Sequence, residues 1–274
     1  MLELAAFATA LLVTGAISGV LAGLLGIGGG IVIVPVLDTV LTYFGTDPAI
    51  RMQVAVATSL ATIIPTSIAS SRAHHRRGSV DTELVRRWVV FVMIGALAGA
   101  IIAAGVHSRT LSLVFAVMAL LIATKMILPL DGRTLAANVP RGPFMPVVPA
   151  LIGGLSSMIG IGGGTLSVAT LTLLNQPIHR AVGTAALFGL AISLPGAVAF
   201  VAAGYGDPRL PPYSLGFVNL LGFALIAPAT WVTAPAGAAL AHRLSQRRLS
   251  LTFGLFLAVV SARMFLQALR GTAG

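Results

Sequence analysis

The chain has 274 residues, of which 57% are hydrophobic and only 9% are charged, and its mean hydropathy is +1.00. Soluble globular proteins carry about 25% charged residues, so these values exclude a soluble globular protein and indicate a polytopic membrane protein with little soluble mass. The formal net charge of +10 does not indicate nucleic-acid binding, because the basic residues lie mostly in short loops, where they set topology and contact lipid headgroups.

The first predicted element is a glycine-broken apolar stretch over about residues 4–44. Glu3 stands where a secretory signal would carry Lys or Arg, and no clean small-residue cleavage site precedes the continuing apolar run. We therefore expect this segment to remain in the membrane. Within it, Gly15, Gly19 and Gly23 follow the small-xxx-small spacing that allows close helix packing.

Three further spans are predicted in the first half, near 48–71, 88–106 and 111–128. The same order then repeats, with a shorter glycine-broken stretch and three spans near 144–174, 178–203, 213–241 and 249–269. The apolar segments therefore predict two sets of equivalent elements.

Internal similarity supports this division into two homologous halves. The run GLLGIGGGIVIV at 23–34 returns as SMIGIGGGTLSV at 157–168, which is 134 positions later, and VATS at 56–59 corresponds to VGTA at 182–185. A longer block also recurs, since 99–126 matches 237–264. We predict a first transmembrane repeat over 1–128, a polar and Pro-rich linker over 129–142, and a second transmembrane repeat over 143–274.

The basic loops predict how the two halves are oriented. In the first half SRAHHRRG precedes the third element and the next loop carries only Arg109, whereas in the second half the loop with Arg209 comes first and HRLSQRR comes second. This swap predicts inverted repeats with both termini outside. The predicted fold is all-α and polytopic, with each half a glycine-broken helical hairpin plus three transmembrane helices. The alternative is eight spans in parallel repeats.

The glycine runs are predicted to form an anion site. A run of glycines breaks a helix and exposes backbone that lipid cannot satisfy, so the break must face protein or a water-lined cavity. Free N–H groups at the next half-helix, near Ile31 and Thr165, together with the helix dipole form a generic anion site. Close packing does not need consecutive glycines, and a nucleotide loop is excluded because G-x-G-x-x-G fails at Ile31 and no P-loop Lys follows.

These motifs resemble a known family. The duplicated GIGGG followed by an apolar run, a downstream ATS or GTA, and the proline-containing IIPTS and SLPGA are similar to the TauE/SafE family of sulfite and organosulfonate exporters, the toluene-sulfonate-uptake type of membrane transporter. The resemblance covers nearly the whole chain. It implies a permease for a small sulfur-containing anion, such as sulfite, sulfoacetate or a related compound, as a multi-pass protein of the bacterial cytoplasmic (inner) membrane. One departure is Thr184-Ala185 in the second half where the first has Thr58-Ser59, which predicts unequal half-sites.

The candidate site residues lie at the breaks and in the spans that follow them. The candidate substrate-binding residues are Gly28, Gly29, Gly30, Thr58, Ser59, Gly162, Gly163, Gly164, Thr165 and Thr184. Secondary candidates are the polar or cationic residues Gln53, Arg51, Ser157 and Arg180. Pro65 and Pro195 are predicted hinges, because proline removes a helix hydrogen bond and kinks the helix.

The remaining residue types limit the function classes. Apart from Asp38, every Asp and Glu is predicted to lie in a terminus or loop, so a buried carboxylate relay is not expected. Transport driven by the membrane potential, or by a proton carried on the substrate, is expected instead. No cysteine and no intramembrane catalytic motif occur, so we predict neither an enzyme nor a metal or other cofactor. Expected partners are the anion, lipid and, through apolar outer faces, a homodimer partner. The alternative function is a structural or assembly subunit of a larger membrane complex.

Overall fold

The computed structural model describes residues 2–25, 28–128, 146–240 and 246–270, which form ten helices and one short strand pair. The first-half helices are α1 Leu2–Leu25, α2 Gly30–Tyr43, α3 Arg51–His75, α4 Thr82–Gly105 and α5 Ser108–Ile127. The second-half helices are α6 Val147–Ile159, α7 Gly164–Leu173, α8 Ile178–Ala203, α9 Leu220–Leu240 and α10 Gln246–Arg270. Strands β1 Ser214–Leu215 and β2 Val218–Asn219 form an antiparallel hairpin between α8 and α9.

The all-α polytopic prediction is confirmed. Six of the described helices, α3, α4, α5, α8, α9 and α10, are long and apolar enough to cross a membrane. Three shorter apolar helices, α2, α6 and α7, lie beside the two glycine breaks. The linker predicted over 129–142 lies outside the described residues, and the repeat boundaries on either side of it stay predictions.

Helices α3 and α8 form the centre of the bundle. Of the apolar window of α3, 83% is buried, compared with 33% in each of α5, α9 and α10. Helix α3 packs against α8 and α9, and α8 packs against α4. The outer helices therefore keep apolar faces for lipid, while the polar residues of α3 and α8 are enclosed.

Two equivalent hydrogen bonds set the relative direction of α3 and α8. Thr58, near the start of α3, accepts from the amide of Asn219, which follows α8, at 2.9 Å. Thr184, near the start of α8, accepts from the amide of Asp81, which follows α3, at 3.0 Å. The start of each helix therefore lies beside the end of the other, so α3 and α8 run antiparallel. Inverted repeats require their equivalent helices to run antiparallel in this way, and the orientation of the two halves in a membrane stays a prediction.

Small residues bring helices of different halves close together. Helix α1 packs on α9, and a β-carbon added at Gly15 would lie 2.8 Å from the carbonyl oxygen of Ile226. At Gly19 it would lie 2.7 Å from the backbone of Thr230. The small-xxx-small interpretation of this series is confirmed, because no larger residue fits at these positions without moving α9.

Two predicted boundaries are wrong. The span predicted near 213–241 begins only at Leu220, because Tyr213 (φ 61°) and Gly216 (φ 53°) bend the chain into the β1–β2 hairpin. The span predicted near 88–106 begins earlier, at Thr82, where the Asp81 carboxylate accepts from the amide of Leu84 at 3.0 Å and caps the helix. As a consequence, Glu83, predicted in a loop, lies in the first turn of α4.

Candidate anion site at the paired glycine breaks

The first break places its glycines in the left-handed region. Gly28 has φ 72° and Gly29 has φ 76°, and only glycine adopts such angles at little cost. Helix α2 then begins at Gly30, with the amides of Val32 and Ile33 donating to the carbonyl of Gly29 at 3.1 and 3.3 Å. The half-helix start predicted near Ile31 is confirmed to within one residue.

The second break has the same backbone form. Helix α6 ends at Ile159, and Gly160 (φ 68°) caps it while the amide of Ile161 donates to the carbonyl of Ser156 at 3.1 Å. Gly162 (φ 64°) and Gly163 (φ 75°) follow, and α7 begins at Gly164. The start predicted near Thr165 is therefore also confirmed to within one residue.

The two breaks are in direct contact. A β-carbon placed on Gly30 would lie closer than 3.0 Å to the carbonyl oxygen of Gly160, and one on Gly28 would lie 3.5 Å from the carbonyl oxygen of Ile161. Ser59 in α3 donates to the same Gly160 carbonyl at 2.8 Å. The start of α2 and the end of α6 thus meet on the middle of α3, although 130 positions separate Gly30 from Gly160 in the chain.

Two isoleucines fill the space around the breaks. The side chain of Ile63 would lie 3.3 Å from a β-carbon on Gly28 and 2.8 Å from one on Gly162, so it touches both breaks at once. The side chain of Ile192 packs against Gly163 in the same way. Sequence reasoning missed both, because an isoleucine in an apolar helix carries no signal of its own. The alignment of VATS with VGTA pairs Ile63 with Gly189, so a bulky side chain stands at this position in the first half only.

Buried hydroxyls without a hydrogen-bond partner surround the breaks. Within the described part of the chain, the unpartnered hydroxyl oxygens in and around the breaks are those of Ser18, Ser67, Ser156, Ser157, Thr165 and Ser167. A β-carbon on Gly163 would lie 3.6 Å from the Ser156 oxygen, and one on Gly29 would lie 3.1 Å from the Ser18 β-carbon. Native structures rarely leave buried polar groups unpaired, so these hydroxyls indicate a ligand or water. Ser18 had no distinguishing signal in the sequence, since it lies outside the repeated motif.

Thr58 and Thr184 use their hydroxyl oxygens as acceptors for backbone amides. The two donor residues, Asn219 and Asp81, also cap the helices that follow them. The Asn219 side chain accepts from the amide of Gly222 in α9 at 2.8 Å, and the Asp81 side chain accepts from the amide of Leu84 in α4. These matched bonds explain why the threonine recurs in both halves. A contact between either threonine and a substrate stays a prediction.

The predicted pair of cations occupies two different environments. Arg51 donates through Nε to the Asp38 carboxylate at 2.9 Å, and that carboxylate is buried, with 5% of its side chain exposed. Arg180, at the start of α8, is exposed. The two arginines therefore do not form equivalent anion-attracting groups in this conformation.

The other secondary candidates are also placed by the fold. Gln53 donates to the carbonyl of Val106 at 2.6 Å and holds the α4–α5 connection. Ser157 lies under α8, and a β-carbon on Gly196 would be 2.7 Å from its hydroxyl. Pro65 and Pro195 lie inside α3 and α8, both of which continue through them, and their role as hinges stays a prediction.

Comparison with known proteins agrees with these features. The family model for Sulfite exporter TauE/SafE matches residues 11–264. The chain is 34% identical over 258 residues to a probable membrane transporter protein of Haemophilus influenzae, covering 93% of this chain and 97% of that protein. It is 25% identical over 278 residues to the probable membrane transporter protein YunE of Bacillus subtilis, with 94% and 97% covered.

An archaeal relative extends the same pattern. The chain is 24% identical over 262 residues to the probable membrane transporter protein MJ0441 of Methanocaldococcus jannaschii, covering 93% of this chain and 94% of that protein. No solved structure matches. With a family model matched from residue 11 to residue 264 and a multi-pass bundle built around the duplicated glycine breaks, this chain belongs to the TauE/SafE sulfite exporter family.

Proposed function

We propose that this protein is a secondary transporter that moves a small sulfur-containing anion, such as sulfite or an organosulfonate, across the bacterial inner membrane. The observation that carries the proposal is the contact between the two breaks, where Gly30 and Gly160 meet beside Ser59. Paired helix breaks that converge inside the bilayer are a device by which transporters bind ions and substrates. The family name and the names of the relatives support the same function.

The substrate would bind at the starts of α2 and α7. These helix ends offer backbone N–H groups and a partial positive charge, and the buried hydroxyls beside them, such as Ser156 and Thr165, are further donors. Ile63 lies between the breaks and closes the space that a substrate would need. Transport therefore requires the two hairpins to separate, which a rocking movement of inverted halves would provide alternately on each side.

The buried charges support transport without a carboxylate relay. Among the described residues, Asp38 is the only buried acidic side chain, and Arg51 already pairs with it at 2.9 Å. Its charge is therefore already offset by a partner, and no unpaired buried acid remains among the described residues for a relay. The driving force would then be the membrane potential or a proton carried by the substrate. Accumulation that persists with both the potential and the pH gradient collapsed would contradict this.

Thermal stabilisation of the purified protein tests the proposed function. We expect one anion from a panel of sulfite, thiosulfate, sulfoacetate, sulfate and chloride to raise the unfolding temperature saturably. Gly29→Leu and Gly163→Leu should abolish the effect, since a side chain at either position collides with Ser18 or Ile192. Gly105→Leu is the matched control, because a β-carbon there meets nothing within 4 Å. No response to any anion would instead favour a structural subunit of a membrane complex.

A further inference from the structure

One face of α3 is polar from the breaks to the end of the helix. Ile63 touches both breaks, and the residues that follow it on the same face, at helical spacing, are Thr66, Ser67, Ser70 and His74. Each of these four residues is at most 3% exposed. Burying such a polar face costs free energy unless each of its groups has a hydrogen-bond partner.

Three hydroxyls along this polar face have no such partner. The oxygens of Ser67 and Ser70, and that of Ser18 on α1, are buried and unpartnered among the described residues. Ser18 lies beside the first break, with its β-carbon 3.1 Å from one placed on Gly29, and the Ser67 oxygen would lie 2.6 Å from a β-carbon on Gly189 in α8. Because native structures rarely leave buried hydroxyls unpaired, they indicate an acceptor that occupies this face.

His74 closes the far end of the polar face. Its Nε2 lies 3.1 Å from the carbonyl oxygen of Gly23, near the end of α1. A carbonyl oxygen only accepts, so the ring nitrogen donates this hydrogen bond. The helix ends one residue later, at His75. The bond therefore joins the ends of α3 and α1 at the mouth of the polar face.

Cations surround this mouth. The exposed arginines at the end of α3 and at the adjacent start of α8 are Arg72, Arg76, Arg77 and Arg180. The acids described nearby are already engaged, since Asp81 accepts from the amide of Leu84 and Glu83 pairs with Arg87. An excess of positive charge at a polar opening raises the local concentration of anions.

The equivalent face of α8 is different. Of the four corresponding positions, which lie 126 residues later, only that of Ser67 keeps a hydroxyl, as Ser193, and Phe200 stands in place of His74. Phe200 is 0% exposed and packs edge-on against Phe217, with ring centroids 6.3 Å apart. The polar face therefore leads from the breaks toward the basic end of α3 and has no equivalent in the second half.

We infer that the transported anion moves between the breaks and the basic end of α3 along this polar face, and that His74 closes its mouth in this conformation. The inference rests on the proposed function and adds a route to it. The hydroxyls of Ser18, Ser67 and Ser70 donate to the anion in turn, without a full positive charge that would hold it in place. Loss of the bond between His74 and Gly23 opens the mouth.

A single thiol on the polar face tests the route, since the chain contains no cysteine. In the purified protein, iodoacetate, a small anion that alkylates thiols irreversibly, should react with Ser70→Cys at least about tenfold faster than with Ser261→Cys, because access limits thiol reactivity. Ser261 is the matched control, as it is 4% exposed and donates to the carbonyl of Ala116 on α5. Equal rates, or faster reaction of Ser70→Cys with neutral iodoacetamide alone, would overturn the route.

Uptake by proteoliposomes tests whether the substrate uses this face. Ser70→Cys treated with iodoacetate should lose uptake of sulfite and sulfoacetate, because the added carboxylate occupies the face, whereas treated Ser261→Cys should keep it. Ser67→Cys provides the same test if Ser70→Cys does not fold. Uptake that survives alkylation would overturn the route but leave anion transport standing. Absence of both uptake and anion stabilisation in the untreated, unsubstituted protein would overturn the proposed function itself.

Removal of the His74 ring tests the mouth. His74→Ala in the Ser70→Cys background should speed alkylation by iodoacetate, because the bond to Gly23 is lost. His74→Gln keeps a donor and should speed it less. An alkylation rate that His74→Ala leaves unchanged would overturn the assignment of His74 as the residue that closes the polar face.

Discussion

Replacing Gly30 with alanine tests whether the two breaks meet. The added β-carbon would lie closer than 3.0 Å to the carbonyl oxygen of Gly160, and 2.8 Å from both the Ser59 hydroxyl and the Ile63 side chain. The Gly160 carbonyl is backbone that Ser59 also holds, so it cannot rotate away as a side chain would. Overpacking of this kind costs about 1–3 kcal/mol, while alanine at an ordinary helix position gains about 1 kcal/mol over glycine.

We therefore expect Gly30→Ala to lower the free energy of unfolding by up to about 2 kcal/mol and to abolish anion-dependent stabilisation. Thermal unfolding of the purified protein with and without substrate measures both effects. Gly105→Ala, at the exposed end of α4, is the matched control because its β-carbon meets nothing within 4 Å. Its stability should stay equal or rise. If Gly30→Ala unfolds like Gly105→Ala and still responds to anions, the breaks do not pack as described and the site must lie elsewhere.

Four further single substitutions and one double variant have definite expected outcomes. Thr58→Val and Thr184→Val should each destabilise the fold by about 1–3 kcal/mol, because each leaves one backbone amide unpaired. Thermal unfolding measures this loss, and a loss in only one of the two variants would contradict their equivalence. Asp38→Asn should lower the free energy of unfolding by less than the about 3–5 kcal/mol expected when one partner of a fully buried ion pair is removed, since the Arg51 side chain is 21% exposed. A double variant with Arg51→Gln should cost less than the sum of the two single variants. Ile63→Ala should increase anion leak through proteoliposomes, and an unchanged leak would show that Ile63 does not close the path.

The breaks could be predicted from sequence because glycine runs report backbone geometry directly. All six break glycines named from the sequence adopt a positive φ or begin a helix, and the helix starts at Gly30 and Gly164 fall within one residue of expectation. Their mutual contact could not be predicted in this way. It depends on how α3 presents Ser59 and Ile63 to both hairpins, and nothing local to either glycine run determines that packing.

The wrong boundary of α9 has a local cause that composition conceals. Residues 213–219 are mostly apolar, so their hydropathy continues that of the helix. The chain nevertheless turns at Tyr213 and Gly216, which both have positive φ, and pairs β1 with β2. Hydropathy records which residues avoid water but not their backbone angles, and a short apolar hairpin at the end of a bundle is therefore easily taken for the first turns of a helix.

The repeated threonines and the unrepeated serine make different kinds of contact. Thr58 and Thr184 make the same bond to the residue that caps the next helix, so the duplicated threonines hold the frame. Ser59, by contrast, donates to the Gly160 carbonyl across the breaks, and its counterpart Ala185 has no hydroxyl with which to do so. A symmetric frame can rock between two related states, whereas a binding site needs one set of contacts matched to one ligand. If the breaks bind the anion, a Ser59→Ala variant should therefore change anion affinity more than Ala185→Ser does, and equal effects would contradict a role for Ser59 in the site.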